Sequence, residues 1–100
     1  MNNEPCNGGE LELMTNNLRK ICNHFGVDRQ IKEKLPEELY ELSIECQKDG
    51  NDELKIDEIA DVKVLLNQII DAKGWEDRVN ERMEFKINRT LERIAEGFYD

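Results

Sequence analysis

The chain has 100 residues and a net charge of −9, with 23 acidic against 14 basic residues. This length suits one small domain with a limited core, so part of its stability is expected to come from oligomerisation. The acidic balance argues against nucleic-acid binding, which needs a basic face, and no apolar run is long enough to cross a bilayer.

The three cysteines, Cys6, Cys22 and Cys46, are odd in number and widely spaced. This pattern is typical of reduced thiols rather than of a disulfide framework or a zinc site. No signal-peptide pattern opens the sequence. Together these features predict a cytoplasmic protein that has no contact with a membrane.

Residues 1–9 are rich in Asn and Gly and are predicted to form a flexible lead-in. The folded domain is predicted to cover residues 10–98. Apolar side chains recur at three- and four-residue steps over residues 10–24, which predicts a first helix that ends before Gly26.

The second helix is predicted over residues 29–48 and contains Pro36. Proline removes one backbone hydrogen bond and presses on the carbonyl four residues back, that of Lys32. Either the helix kinks there, or a short turn ends near Lys34 and Pro36 begins a new helix. We favour the single kinked helix.

The third helix, predicted over residues 53–73, is the most apolar in the chain, and the fourth is predicted over residues 76–96. Because the third helix is apolar on more than one side, it is expected to be central or to lie at a subunit interface. No strand alternation is present. The sequence therefore predicts an all-α fold, a small antiparallel four-helix bundle completed by assembly into a homodimer or a dimer of dimers.

An acidic pair lies beside the apolar stripe of the second helix. At about 100° of rotation per residue, Leu35, Leu39 and Leu42 share one side of the helix. Glu38 and Glu41 fall on the shoulder of that side. Carboxylates placed there are expected to be half-buried, which is costly unless a positive group satisfies them.

The third helix repeats the arrangement, with Glu58 and Asp61 on the shoulder of a stripe that includes Ile59, Val62 and Leu66. Helices joined by a short turn are antiparallel neighbours, so the two acidic pairs are expected to face each other. Four carboxylates facing each other would suit a hard divalent cation. The alternative is a solvated charged face, because an acidic chain contains such pairs by chance.

The segments KLPEELYEL (residues 34–42) and EIADV (residues 58–62) resemble the ExxE…ExxD signature of the MazG-like all-α nucleoside triphosphate pyrophosphohydrolases. The segment MEFKINRTLERI (residues 83–94) is similar to the Lys- and Arg-bearing last helix of many such proteins, phage-borne ones included. The resemblance covers about residues 18–95.

The resemblance implies a hydrolase that uses Mg²⁺, with Mn²⁺ as a substitute, to convert a standard, deoxy or modified nucleoside triphosphate to the monophosphate and pyrophosphate. It implies a role in nucleotide-pool house-cleaning. The implied metal ligands are Glu38, Glu41, Glu58 and Asp61. Glu38 and Glu41 are the implied catalytic residues, and Glu41 is the candidate to take a proton from the attacking water, although a pure ligand role is equally open.

Lys86 and Arg89 lie three residues apart on one face of the fourth helix and are candidates to clamp phosphate oxygens. The alternative for both is an exposed basic patch that pairs with neighbouring glutamates. Lys34 is the third candidate substrate contact, unless it pairs with Glu38 one turn later.

Two other functions stay open. One is a non-catalytic helical interaction module whose acids only keep it soluble. The other is a phosphoribosyl-ATP pyrophosphohydrolase, which shares the acidic signature. Either hydrolase requires Glu38, Glu41, Glu58 and Asp61 to face one cavity, whereas the interaction module does not.

Overall fold

The computed structural model describes residues 8–99, and side chains from residue 12 onward. Its elements are α1 (Gly8–Phe25), α2 (Val27–Arg29), a π-helical turn (Gln30–Lys34), α3 (Leu35–Gln47), α4 (Asp52–Lys73) and α5 (Glu76–Ala95). Because α2, the π turn and α3 run on without a break, residues 8–99 form four helices and no strand, which confirms the predicted all-α bundle.

The predicted flexible lead-in falls mostly outside the described residues. Residues 1–7 are not described, and Gly8 and Gly9 already belong to α1.

The helix through Pro36 is continuous, as the single-helix interpretation requires. The Leu35 N–H donates to the Gln30 carbonyl, five residues back, which is the hydrogen bond of a π turn. A proline has no N–H to donate, and its ring conflicts with the carbonyl of the preceding turn. The widened turn directly before Pro36 therefore accommodates the ring without ending the helix.

A Schellman motif ends α4. Gly74 has a φ of 66°, and its N–H donates to the Asp71 carbonyl at 3.1 Å, while the Trp75 N–H donates to the Ile70 carbonyl at 2.9 Å. The left-handed conformation at this position favours glycine. The motif ends α4 within two residues, so that α5 begins at Glu76.

The central element is α4, which packs against α1, against the stretch from α2 to α3, and against α5. This confirms the central position predicted for the third helix. The buried apolar side chains are few and come mainly from α4: Cys22, Val62, Leu65 and Ile69.

The apolar stripes predicted beside the acids are wrong in part. On α3, Leu39 is 45% exposed, whereas Glu38 is only 7% exposed and is therefore buried rather than half-buried. On α4, Ile59 and Leu66 are exposed and Gln68 is buried. The reason is that α4 covers the side of α3 that carries Glu38 and Glu45 together with the half-buried Leu35 and Leu42, and Leu39 lies outside that side.

The last helix, α5, extends away from the other helices. None of its residues is buried, and its apolar stripe is 54–59% exposed at Met83, Ile87, Leu91 and Ile94. The radius of gyration is 16.7 Å, against about 13 Å for a compact domain of this length. Among the described helices, none is both long and apolar enough to cross a membrane.

Candidate metal centre

Five acidic side chains from α3 and α4 converge around Glu38. Carboxylate oxygens of Glu38, Glu58 and Asp61 lie within 4.8 Å of one another, and the same holds for Glu37, Glu38 and Glu41. We call these five residues the acid cluster. Oxygens this close together are spaced as ligands around a hard divalent cation.

Local structure explains the convergence. The acids of α3 occupy its first two turns, directly after the π turn, and those of α4 lie in its second and third turns. Spacings of three and four residues keep the acids of each helix on one side. Because the two helices are antiparallel neighbours joined by a short turn, these sides meet.

Glu38 is the most enclosed member of the acid cluster. Its Oε1 lies 3.2 Å from Lys34 Nζ, which also lies 3.3 Å from Glu37 Oε1. Hydrogen bonds to Glu38 and then to Glu37 raise the pKa of Lys34. Lys34 therefore pairs with Glu38 and is held beside the acid cluster, and its role as a substrate contact stays a prediction.

Three buried carboxylate oxygens accept no hydrogen bond within the described residues: Glu38 Oε2, Glu45 Oε2 and Glu58 Oε2. A buried carboxylate oxygen without a donor is costly, and such atoms are rare in native proteins unless an ion or water supplies the missing interaction. The residues of the acid cluster therefore fit a divalent cation held between α3 and α4.

The crowding of negative charge changes the proton affinity of two acids. The pKa of Glu41 is raised, mainly by the charge of Glu38 and also by burial and by Glu37. The pKa of Glu58 is raised by burial first, and then by the charges of Glu41 and Asp61. Both shifts have the sign expected for carboxylates that lack a counter-ion.

The structure brings together all four acids that the sequence singled out. Glu38, Glu58 and Asp61 form one group, and Glu41 joins Glu38 in the overlapping group. Sequence reasoning missed Glu37, although it lies one helical turn before Glu41 and could have been found by the same spacing. It also missed the neighbouring Glu45, although a residue one turn beyond Glu41 on the same side of α3 could have been found by that spacing.

The two basic residues predicted on α5 are not brought to the acid cluster within one chain. The Arg89 guanidinium carbon lies 5.6 Å from the centre of the Phe85 ring, and the Lys86 carbonyl accepts a hydrogen bond from Thr90. Among the described residues, neither basic side chain forms an ion pair. Their role as phosphate contacts stays a prediction.

A groove of about 600 Å³ opens beside the acid cluster, between α1, the π turn and α4. Lys34, Glu38 and Asp61 lie at its acidic end. Apolar side chains line its middle, and two buried glutamines, Gln30 and Gln68, lie at the far side. The apolar lining residues are Ile21, Phe25, Val64 and Leu65.

No family model, curated protein or solved structure matches this chain. The functional interpretation therefore depends on the acid cluster and the groove themselves.

Proposed function

We propose that this protein is a Mg²⁺-dependent nucleoside triphosphate pyrophosphohydrolase that releases pyrophosphate and a nucleoside monophosphate. The observation that supports this most directly is the environment of Glu38. This carboxylate is buried, it has an oxygen without a donor, and it is shared by two groups of closely spaced acids. Acids that serve only solubility are expected to remain in water.

Each acid then has a role that follows from its position. Glu38, Glu58 and Asp61 hold the cation. Mg²⁺, when bound there, neutralises triphosphate charge and lowers the pKa of its water. Glu41 is exposed, and its pKa is raised, which makes it a better proton acceptor than an ordinary glutamate. Lys34 keeps Glu38 in place and faces the groove where phosphates would enter.

We further propose that the protein works as a homodimer or a dimer of dimers in the cytoplasm, where nucleotides are found. The support is the exposed stripe of α5, because a second copy would remove this apolar surface from water. An α5 from the partner subunit would also bring basic side chains equivalent to Lys86 and Arg89 to an acidic site that has few cations of its own.

The test is pyrophosphate release from a panel of standard, deoxy and modified triphosphates, with phosphoribosyl-ATP included, in the presence of Mg²⁺. The variants Glu38→Gln and Asp61→Asn are each expected to lose most of the activity, and the double variant should be little worse, because ligands that act as one unit fail together. Lys86→Ala is expected to lower kcat/KM while metal binding is retained.

The matched control is Glu84→Gln. Glu84 and Glu81 have the same spacing as the pairs in the acid cluster, but both lie exposed on α5. This variant is expected to be nearly silent. Equal activity in Glu38→Gln and Glu84→Gln, or no pyrophosphate from any triphosphate, would refute the proposal and favour an interaction module.

A further inference from the structure

Two glutamines form a hydrogen-bonded pair across the contact between the π turn and α4. Gln30 Nε2 donates to Gln68 Oε1 at 3.0 Å, and the two residues are only 4% and 3% exposed. We call them the amide pair. Burying two amides costs free energy that their single mutual hydrogen bond only partly offsets.

The amide pair has hydrogen-bonding capacity left over. Whichever amide donates, one carbonyl and one amino group remain, here Gln30 Oε1 and Gln68 Nε2. In the described part of the chain neither of these atoms has a partner, and neither is a fully enclosed atom. Both residues line the groove, so the remaining acceptor and donor belong to side chains of its wall.

The position of the amide pair relative to the acid cluster suits a nucleoside. Gln30 precedes Glu38, and Gln68 follows Asp61, by about two helical turns each, which is about 10–12 Å along the helix axes. Because α4 is antiparallel to the preceding helix, both displacements run in the same direction along the groove. The wall between them is largely apolar and includes Phe25.

We propose that the amide pair binds the base of the nucleotide whose phosphates lie at the acid cluster. This inference rests on the proposed function. A nucleobase presents a donor beside an acceptor on one edge, and Gln30 Oε1 and Gln68 Nε2 would each form one hydrogen bond with such an edge, of the kind that glutamine amides form with adenine. The ring of the base would pack against Phe25 and the aliphatic side chains of the groove.

The substrate class that follows is nucleotides with an intact, uncharged hydrogen-bonding edge. Inorganic triphosphate and a ribose triphosphate without a base reach the acid cluster but leave the amide pair unmatched. A site that leaves buried polar groups unpaired discriminates against the molecule that fails to pair them.

The test compares wild type with the double variant Gln30→Met, Gln68→Met. Replacing both partners by apolar groups of similar shape can be nearly neutral for stability, whereas a single replacement would orphan the other amide. Gln47→Met is the matched control, because Gln47 is exposed and its amide donates to Ser43 Oγ at 3.2 Å, outside the groove.

Calorimetry with Mg²⁺ would measure the binding of an α,β-methylene nucleoside triphosphate and of inorganic triphosphate. Wild type and Gln47→Met are expected to bind the nucleotide analogue about 10- to 100-fold more tightly than inorganic triphosphate. The double variant is expected to lose this ratio and to keep its affinity for inorganic triphosphate. Retention of the ratio by the double variant would overturn the inference.

Side-chain amide resonances of wild type provide a second readout that does not depend on the variant folding. The nucleotide analogue should shift the resonances of both Gln30 and Gln68, and inorganic triphosphate should not. Unchanged resonances at saturation would also overturn the inference.

The base site and the proposed function can fail separately. If the nucleotide binds in this way but no triphosphate is hydrolysed, the proposed function fails and the base site stands. If hydrolysis occurs without involvement of the amide pair, only the base site fails.

Discussion

Replacing Glu38 with glutamine tests whether the acid cluster holds a cation. Glu38 belongs to both groups of acids, so the change removes one charged ligand from each. The variant also loses the ion pair with Lys34, which costs little because the lysine side chain is 46% exposed and keeps its contact with Glu37. Without metal, relief of repulsion among the remaining acids offsets that loss. We therefore expect the metal-free variant to melt within a few degrees of wild type, or above it.

Wild type and Glu38→Gln should differ in Tm when metal is added. A ligand at a hundredfold its Kd stabilises the folded state by about 2.7 kcal/mol. For a domain of this size that corresponds to an increase of about 10–20 °C in Tm. Loss of a supporting group at a metal site typically weakens binding by about 10- to 100-fold, and loss of a ligand should do at least as much. At a 100-fold loss, the same Mg²⁺ concentration leaves about 0.4 kcal/mol, or about 2–3 °C.

The assay is thermal unfolding followed by circular dichroism, with MgCl₂ titrated against NaCl at matched ionic strength. The salt control matters because monovalent ions also screen repulsion among exposed acids. Glu84→Gln should keep the full Mg²⁺ response. If millimolar Mg²⁺ leaves the Tm of wild type unchanged, or if Glu38→Gln retains the wild-type increase, the acid cluster is not a cation site.

Three further predictions follow from the same structure. The pKa values of Glu41 and Glu58 are raised above the ordinary 4.5, so the folded protein binds more protons than the unfolded chain just above that pH, and metal-free stability should fall as pH rises through that window. The Mg²⁺-induced rise in Tm should grow over the same window, because protons compete for the ligands. The measurement is Tm across pH with and without Mg²⁺, and a metal-free Tm that rises with pH would contradict the reasoning. Asp61→Asn should reduce the Mg²⁺ response in the same melting assay, and a full response would exclude Asp61 as a ligand. Light scattering at micromolar concentration should give a dimer or larger assembly that Leu91→Glu on the α5 stripe dissociates, and a monomer mass for wild type would contradict the proposed assembly.

Periodicity in the sequence was enough to predict the helices and the acids of the site. Glu38 and Glu41, and Glu58 and Asp61, have spacings that keep each pair on one side of its helix. Because only four residues connect α3 to α4, the two helices are expected to pack as antiparallel neighbours. The meeting of these acids was therefore predictable from local rules.

The burial of the Glu38 side chain and the existence of the amide pair could not be predicted from helical spacing. Helical spacing tells which residues share a side, but not which side a neighbouring helix will cover. Because α4 covers one side of α3, Glu38 is buried there and Leu39 is left exposed. Gln68 gives no signal in the sequence, because an amide in an apolar helix resembles a surface residue until its partner, Gln30, is known. The π turn that contains Gln30 ends two residues before Pro36, whose effect on the helix could be interpreted in two ways.

The most direct test of the proposed function is hydrolysis in water enriched in ¹⁸O, with the label located by mass spectrometry. Water that attacks the α-phosphorus of a triphosphate leaves one ¹⁸O atom in the nucleoside monophosphate and none in the pyrophosphate. We expect this distribution, with Mg²⁺ required for its formation. Label in pyrophosphate or in inorganic phosphate, or the same products without a divalent cation, would contradict pyrophosphohydrolysis at the acid cluster.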